Sequence, residues 1–211
     1  MDNNAKIVYR FHGNLYINLT NRCPNACVFC IKTKFSMVFN GYNLNLEGKE
    51  PCAEDVLEEI YRQSKEAPVG EIVFCGYGEP TMRLETLLKI ALTLKQKMAA
   101  GKYPKTPLRL NTLGLGNLVY GRDITGDLAS VLDSVSISIN SPEEEQWLKI
   151  VRPLSQYREN GYKSVLEFIK LLAQKMQDVT VTIVDKQGID AAKTKALAES
   201  LGAKFRLREF I

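Results

Sequence analysis

Residues 14–30 read NLYINLTNRCPNACVFC, a strand-like run that passes without a break into three closely set cysteines. In its first seven positions Leu15, Ile17 and Leu19 alternate with Tyr16, Asn18 and Thr20. Period-2 alternation puts one set on each face of a pleated strand, so this strand has an apolar side and a polar side. The pattern returns in SVSISIN (134–140), where Val135, Ile137 and Ile139 oppose Ser136, Ser138 and Asn140. It returns again in AKFRLREF (203–210), where Phe205 and Leu207 oppose Lys204, Arg206 and Arg208. Residues 71–75, 108–112 and 179–185 also predict strands. Between the strands a 3.6-residue period predicts helices at about 53–66, 84–100, 124–132, 143–150 with 161–177, and 189–201. Ser141-Pro142 before three glutamates marks one helix start, and Gly202 marks the last helix end.

Six strands separated by helices imply parallel strands joined by right-handed crossovers. A doubly wound sheet, covered on both faces, would carry strands that are apolar throughout. The alternation points instead to a curved sheet with helices outside and a polar concave side. Six strands are too few for a closed eight-stranded barrel. The expectation is therefore an α/β fold: an open partial (β/α)6 TIM-like barrel, with residues 1–211 as a single domain. Residues 31–52, with Phe35, Phe39 and Tyr42, form a long loop expected to close over the cysteines.

With 45% hydrophobic and 25% charged residues, the 211-residue chain has the balance of a soluble globular protein. No apolar run reaches the ~18 residues of a membrane span. The first fourteen residues lack the apolar stretch of a signal peptide, so the expected location is the cytoplasm. The formal charge of +4 is mildly basic, and the even mixing of signs argues against a nucleic-acid partner.

Five cysteines, an odd number without an export signal, argue against a disulfide framework. Cys23, Cys27 and Cys30 offer three thiolates from one tight loop, which is a metal-site spacing. Structural zinc usually takes four Cys or His ligands, and the chain's one histidine, His12, lies well upstream as a surface or edge residue. Ordinary ferredoxin clusters also use four cysteines. Three from one loop suggest a [4Fe–4S] cluster with one iron left open for chemistry, although Cys52 or Cys75 could close it. A non-catalytic zinc or electron-transfer module is the rival of another class.

In βα folds functional groups gather at the C-terminal ends of strands. There the chain places FCGYGEP with Gly76, Gly78, Glu79 and Pro80, then NTLGLG, then Ser138 to Ser141. Glycines at such turns are expected to let a ligand approach bare backbone.

The cysteine spacing after the first strand, Phe29 before the last cysteine, and the Gly-Glu-Pro strand end together resemble the radical S-adenosylmethionine (SAM) superfamily. The likeness runs from about residue 14 to 210. VFCGYGEPT and FRLREF look most like the small TatD-associated radical SAM proteins. The resemblance implies that Cys23, Cys27 and Cys30 ligate three irons of a [4Fe–4S] cluster whose fourth iron binds SAM. It implies that Phe29 packs by the adenine. Gly76, Tyr77, Gly78, Glu79 and Pro80 match the Gly-Gly-Glu-Pro motif that receives the SAM ammonium, with Tyr77 in place of a glycine. Thr112, beside Asn111 and Gly114, matches a third-strand SAM contact imperfectly, since Leu113 stands where an amide is usual. Ser138 and Asn140 sit where the fourth strand contacts the ribose, and Arg152 is the candidate cation for the SAM carboxylate.

The implied activity is reductive cleavage of SAM to methionine and a 5′-deoxyadenosyl radical that abstracts hydrogen from a substrate. Reduced flavodoxin or ferredoxin is the implied electron donor. Arg109, Arg206 and Arg208, if they line the concave side, suggest an anionic substrate. A glycyl-radical-type activase and a heterocycle-modifying enzyme are the alternatives inside the superfamily.

Overall fold

The computed structural model describes residues 5–34, 36–185 and 188–209. In chain order its strands are β1 (Val8–Phe11), β2 (Asn14–Ile17), β3 (Val38–Phe39), β4 (Tyr42–Asn43), β5 (Ile72–Phe74), β6 (Leu108–Thr112), β7 (Ser134–Ser138), β8 (Val179–Val184) and β9 (Lys204–Arg208). The helices are α1 (Ile31–Lys34), α2 (Ala53–Glu66), α3 (Leu84–Ala99), α4 (Gly116–Tyr120), α5 (Thr125–Val131), α6 (Glu144–Val151), α7 (Gly161–Lys175) and α8 (Ala191–Ser200). The fold is α/β, as alternation and helical periodicity require, and every expected strand and helix is present. Phe35 and Phe210 lie outside the described residues.

The chain divides into two compact units: Met1–Cys23 with Ile31–Leu110, and Pro24–Cys30 with Asn111–Ile211. In the first, β2 runs parallel to β5, and β5 parallel to β6. The sheet of this unit departs from the all-parallel expectation at β1, an extra antiparallel strand paired with β2 through the His12-Gly13 turn. His12 is exposed in that turn with φ 47°, which suits an edge residue. Val8, Leu15, Ile17, Ile72, Val73 and Phe74 are all but fully buried. Helix α2 lays Val56, Leu57 and Ile60 inward and is started by a capping box, in which Cys52 Sγ accepts the Asp55 N–H and Asp55 accepts the Cys52 N–H. Each such buried aliphatic side chain stabilises the fold by about 1.5–3 kcal/mol.

The 31–52 segment is more ordered than a plain loop. It holds α1 and the β3–β4 hairpin, which pack Met37, Phe39 and Tyr42 against Tyr9, Leu44 and Tyr77.

In the second unit β7, β8 and β9 are parallel, in the register Ser138↔Thr182↔Arg206. Helix α7 buries Val165, Phe168, Ile169 and Leu172, the i, i+3, i+4, i+7 pattern of an amphipathic helix. Helix α6 begins at Glu144, two residues later than its proline predicts. Ser141 is spent in a local turn, its hydroxyl accepting the Glu143 N–H at 3.1 Å. Gly202, at φ 82°, ends α8 as expected.

Candidate functional site

Strand β5 runs out into Cys75-Gly76-Tyr77-Gly78-Glu79-Pro80, and the two glycines have a specific steric reason. A Cβ on Gly76 would lie 2.3 Å from Asn18 Oδ1, and one on Gly78 would lie 2.2 Å from the Thr20 carbonyl oxygen. The bare faces of both are filled by residues 18–22, the segment that leads to Cys23. On their Cβ sides, therefore, these glycines let two stretches of the protein approach. Asn18 holds the approach, its Oδ1 accepting the Tyr77 N–H at 3.3 Å and its Nδ2 donating to Leu44 O at 2.9 Å. The Glu79 N–H donates to Arg22 O at 2.9 Å.

Glu79 is buried and caps the short 3-10 turn Pro80–Arg83, its Oε1 accepting from Thr81 N (3.1 Å) and Thr81 Oγ1 (2.8 Å). Tyr77 is buried too, and its hydroxyl donates to Val38 O at 2.9 Å in the β3–β4 hairpin. Where the related motif has glycine, this chain thus has an anchor for the hairpin. Cys75 O accepts the Tyr9 hydroxyl at 3.3 Å, and burial first, then nearby Cys75, Tyr16 and Tyr77, pushes the Tyr9 phenol well above its ordinary range.

Arg22, next to Cys23 in the chain, belongs to a charge cluster that sequence spacing gives no means of finding. Glu50 pairs with Arg22 (2.8 Å) and Arg83 (3.1 Å) and accepts the Thr20 hydroxyl. Burial pushes the Glu50 carboxyl up, but the Arg22 and Thr20 hydrogen bonds and the Arg22 and Arg83 charges outweigh it and hold it below its ordinary value.

Residues 24–30 belong to the second unit, where the backbone of the loop is clamped. Ala26 N–H donates to Arg152 O (3.0 Å), Val28 N–H to Ile150 O (2.9 Å), and Leu154 N–H to Pro24 O (2.9 Å). Asn25 and Pro153 form an isolated antiparallel bridge between them. Arg152 takes part through its carbonyl and its left-handed φ of 50°. Its side chain is exposed and lines a surface cavity of about 450 Å³ with Leu148, Lys149, Pro153 and Arg158. Cys23, Cys27, Cys30 and Phe29 are all half-buried, and none of the five cysteines forms a disulfide.

The polar face expected on the later strands is present. Ser138 Oγ and Thr182 Oγ1 are 3.3 Å apart, and Arg208 Nη2 donates to Ser138 Oγ at 3.1 Å. Asn140, 1% exposed and at φ 61°, follows β7; its Nδ2 donates to Ser138 O while its Oδ1 has no partner. Arg206 is exposed on the same face. Two expected contacts are otherwise engaged. Thr112 Oγ1 accepts the Gly114 N–H at 3.1 Å, which shapes a turn. Arg109, near the N-terminal ends of the strands, pairs with Glu71 at 3.0 Å.

The sequence profile described as the Radical SAM superfamily matches residues 17–201, a span that runs through both units. The chain belongs to the radical SAM superfamily. Among curated proteins it is similar to the dual-specificity RNA methyltransferase RlmN of Vesicomyosocius okutanii subsp. Calyptogena okutanii, 27% identical over 74% of this chain and 41% of that protein. It is also similar to the probable RlmN of Trichormus variabilis, 31% identical over 58% of this chain and 30% of that protein. The chain thus spans less than half the length of these two relatives. Among solved structures it is similar to a radical SAM methyltransferase from Sphaerobacter thermophilus (TM-score 0.66, 14% identity, 95% of this chain and 57% of that one). It is similar as well to Streptococcus suis SuiB bound to S-adenosylmethionine (TM-score 0.63, 14% identity, 93% and 38%). These likenesses place the α/β fold with the partial barrels of radical SAM proteins.

The superfamily uses a [4Fe–4S] cluster and SAM, and the residues of this radical SAM chain suit both. Three thiol side chains from one loop are the donor set for iron–sulfur. The buried, unpartnered Asn140 Oδ1 awaits a donor such as a ribose hydroxyl, since a buried polar atom is otherwise costly to leave unpaired. Among the described residues no three His, Cys, Asp or Glu side chains are grouped to hold a single ion. A cube does not require such convergence, because its irons occupy separate corners.

Proposed function

We propose that this chain is the catalytic core of a radical SAM enzyme, with Cys23, Cys27 and Cys30 as the cluster ligands. When bound, the cluster and SAM supply reductive cleavage of the sulfonium to methionine and a 5′-deoxyadenosyl radical, which takes hydrogen from the substrate. The observation that carries the proposal is the clamped loop: three backbone hydrogen bonds to residues 150–154 fix the course of residues 24–28, from which Cys27 projects. Ser138 and Asn140 receive the ribose, the 76–80 turn bounds the SAM amino acid, and Phe29 packs by the adenine. Arg208, tied to Ser138, orients that edge. Arg152 acts chiefly through its backbone, and its exposed side chain makes it the weakest of the proposed SAM contacts. Thr112 supports the site through its turn.

Radical SAM chemistry needs a reductant and a substrate. Reduced flavodoxin or ferredoxin is our proposed donor and the cytoplasm our proposed location; among the described residues no helix is long and apolar enough to cross a membrane. Exposed Arg206, in register with Thr182, supports a small substrate bearing a carboxylate or phosphate. The relatives named as RNA methyltransferases make an RNA the first competitor to include in the substrate panel.

Anaerobic reconstitution tests the core of this. The wild type is expected to hold about four irons and four sulfides and, with dithionite, to yield 5′-deoxyadenosine from SAM; Cys27→Ala should lose both. A wild type that takes up no cluster, or a loaded one that never cleaves SAM, refutes the assignment. Arg206→Ala is expected to keep SAM cleavage and lose substrate turnover.

A further inference from the structure

Asn25 stands between Cys23 and Cys27 and is 8% exposed, yet neither its Nδ2 nor its Oδ1 has a hydrogen-bond partner. An asparagine amide offers two N–H donors and a carbonyl acceptor, and burying all of them unpaired is exceptional in a folded protein. The loop cannot readily turn the side chain out to water. Pro24 O and Ala26 N–H, on either side of Asn25, are both bonded to the 152–154 segment, and Asn25 itself bridges Pro153. The amide is therefore buried in the stretch between Cys23 and Cys27, with neither of its polar atoms hydrogen-bonded.

We propose that the Asn25 amide is a hydrogen-bond donor to the iron–sulfur cluster and sets its reduction potential. The proposal rests on the assignment of Cys23, Cys27 and Cys30 as ligands and adds a residue which the cysteine motif does not include. The chemistry of the two partners agrees. Cluster sulfides and cysteine thiolates are acceptors only, and Nδ2 is a donor that lacks an acceptor. Reduction adds negative charge to the sulfurs, so an N–H aimed at one of them stabilises the reduced form more than the oxidised form. Hydrogen bonds to sulfur are among the recognised determinants of such potentials. The Asn25 carbonyl oxygen remains for a donor on the bound SAM.

The test compares reconstituted wild type with Asn25→Leu, close to the same size but apolar, by EPR-monitored redox titration without SAM. Iron and sulfide content is measured on the same samples. The variant is expected to hold a full cluster with its midpoint lowered by about 59 mV, a tenfold change in a one-electron equilibrium. Asn25→Met, whose unbranched chain adapts to tighter space, gives the same reading if leucine prevents assembly. A loaded cluster with an unmoved potential in either variant overturns the proposal, as it would if the amide were satisfied by water alone. A wild type without iron refutes the ligand assignment instead, so the two failures are distinct.

Discussion

Gly78→Ala is the substitution on which the steric reading of the Gly-Glu-Pro turn stands. The new Cβ would lie 2.2 Å from Thr20 O, 2.6 Å from Arg22 O and 2.8 Å from Thr20 C. All three are backbone atoms, so no side chain can swing away, and an ordinary contact requires a shift of more than about 1 Å. Overpacking of this kind costs about 3 kcal/mol, the upper part of its usual range. For a chain of this size that lowers Tm by about 6–12 °C. The displaced segment ends at Cys23, so iron uptake should fall as well. Gly126→Ala is the control: it lies in α5, and its Cβ would meet only the flexible Lys175 Nζ at 3.9 Å. There alanine should stabilise by roughly 0.5–1 kcal/mol through the lost freedom of glycine. Thermal unfolding of the apo proteins and iron content after reconstitution read both effects. A Gly78→Ala protein as stable and as well loaded as wild type would show that the two chain segments do not touch as described.

Tyr77→Phe removes the hydroxyl that donates to Val38 O; it should cost about 1 kcal/mol and speed amide exchange in β3–β4 while leaving β7 unchanged. Asn140→Gly keeps the left-handed backbone easy and deletes the amide; SAM affinity, by calorimetry on the loaded protein, should fall about tenfold with iron content intact, as for loss of one hydrogen bond. Asp123 bonds Lys175 Nζ at 2.6 Å and accepts from Thr125. Burial raises its pKa, but these partners outweigh that and hold it at about 2 against an ordinary 3.8. Its contribution to stability is thus complete above about 3.8 and lost as pH falls toward 2. An NMR titration should show the low value, and Asp123→Asn should flatten that part of the acid limb.

Much of this protein is legible in the order of its residues alone. Alternation in 14–20, 134–140 and 203–210 shows which strand faces are polar, because a pleated strand leaves each side chain only two directions. The Ser138–Thr182 contact then follows from parallel register, whereas Arg208, opposite Val184, reaches Ser138 diagonally. The glycines were legible as necessary but not as to why. A glycine signals that something comes close, and only the fold says whether that is a ligand or, as at Gly76 and Gly78, another part of the chain. Arg109 misled because alternation gives the face of a strand and not the end of the sheet, where Glu71 meets it. The extra strand β1 went unread because Val8-Tyr9-Arg10-Phe11 does not alternate cleanly between apolar and polar residues.

By itself the sequence determined the α/β class, the order of the elements, the superfamily and the three candidate thiolates, since these depend on periodicity and on residues adjacent in the chain. Only the tertiary structure decided what lies at long range. It joins Glu50 to Arg22 and Arg83, Tyr77 to Val38, and residues 24–28 to 150–154, and it leaves both amide atoms of Asn25 and the Oδ1 of Asn140 buried without partners. Hydrogen bonds and ion pairs act over a few ångströms of space, and separation along a chain says nothing about that distance until the chain is folded.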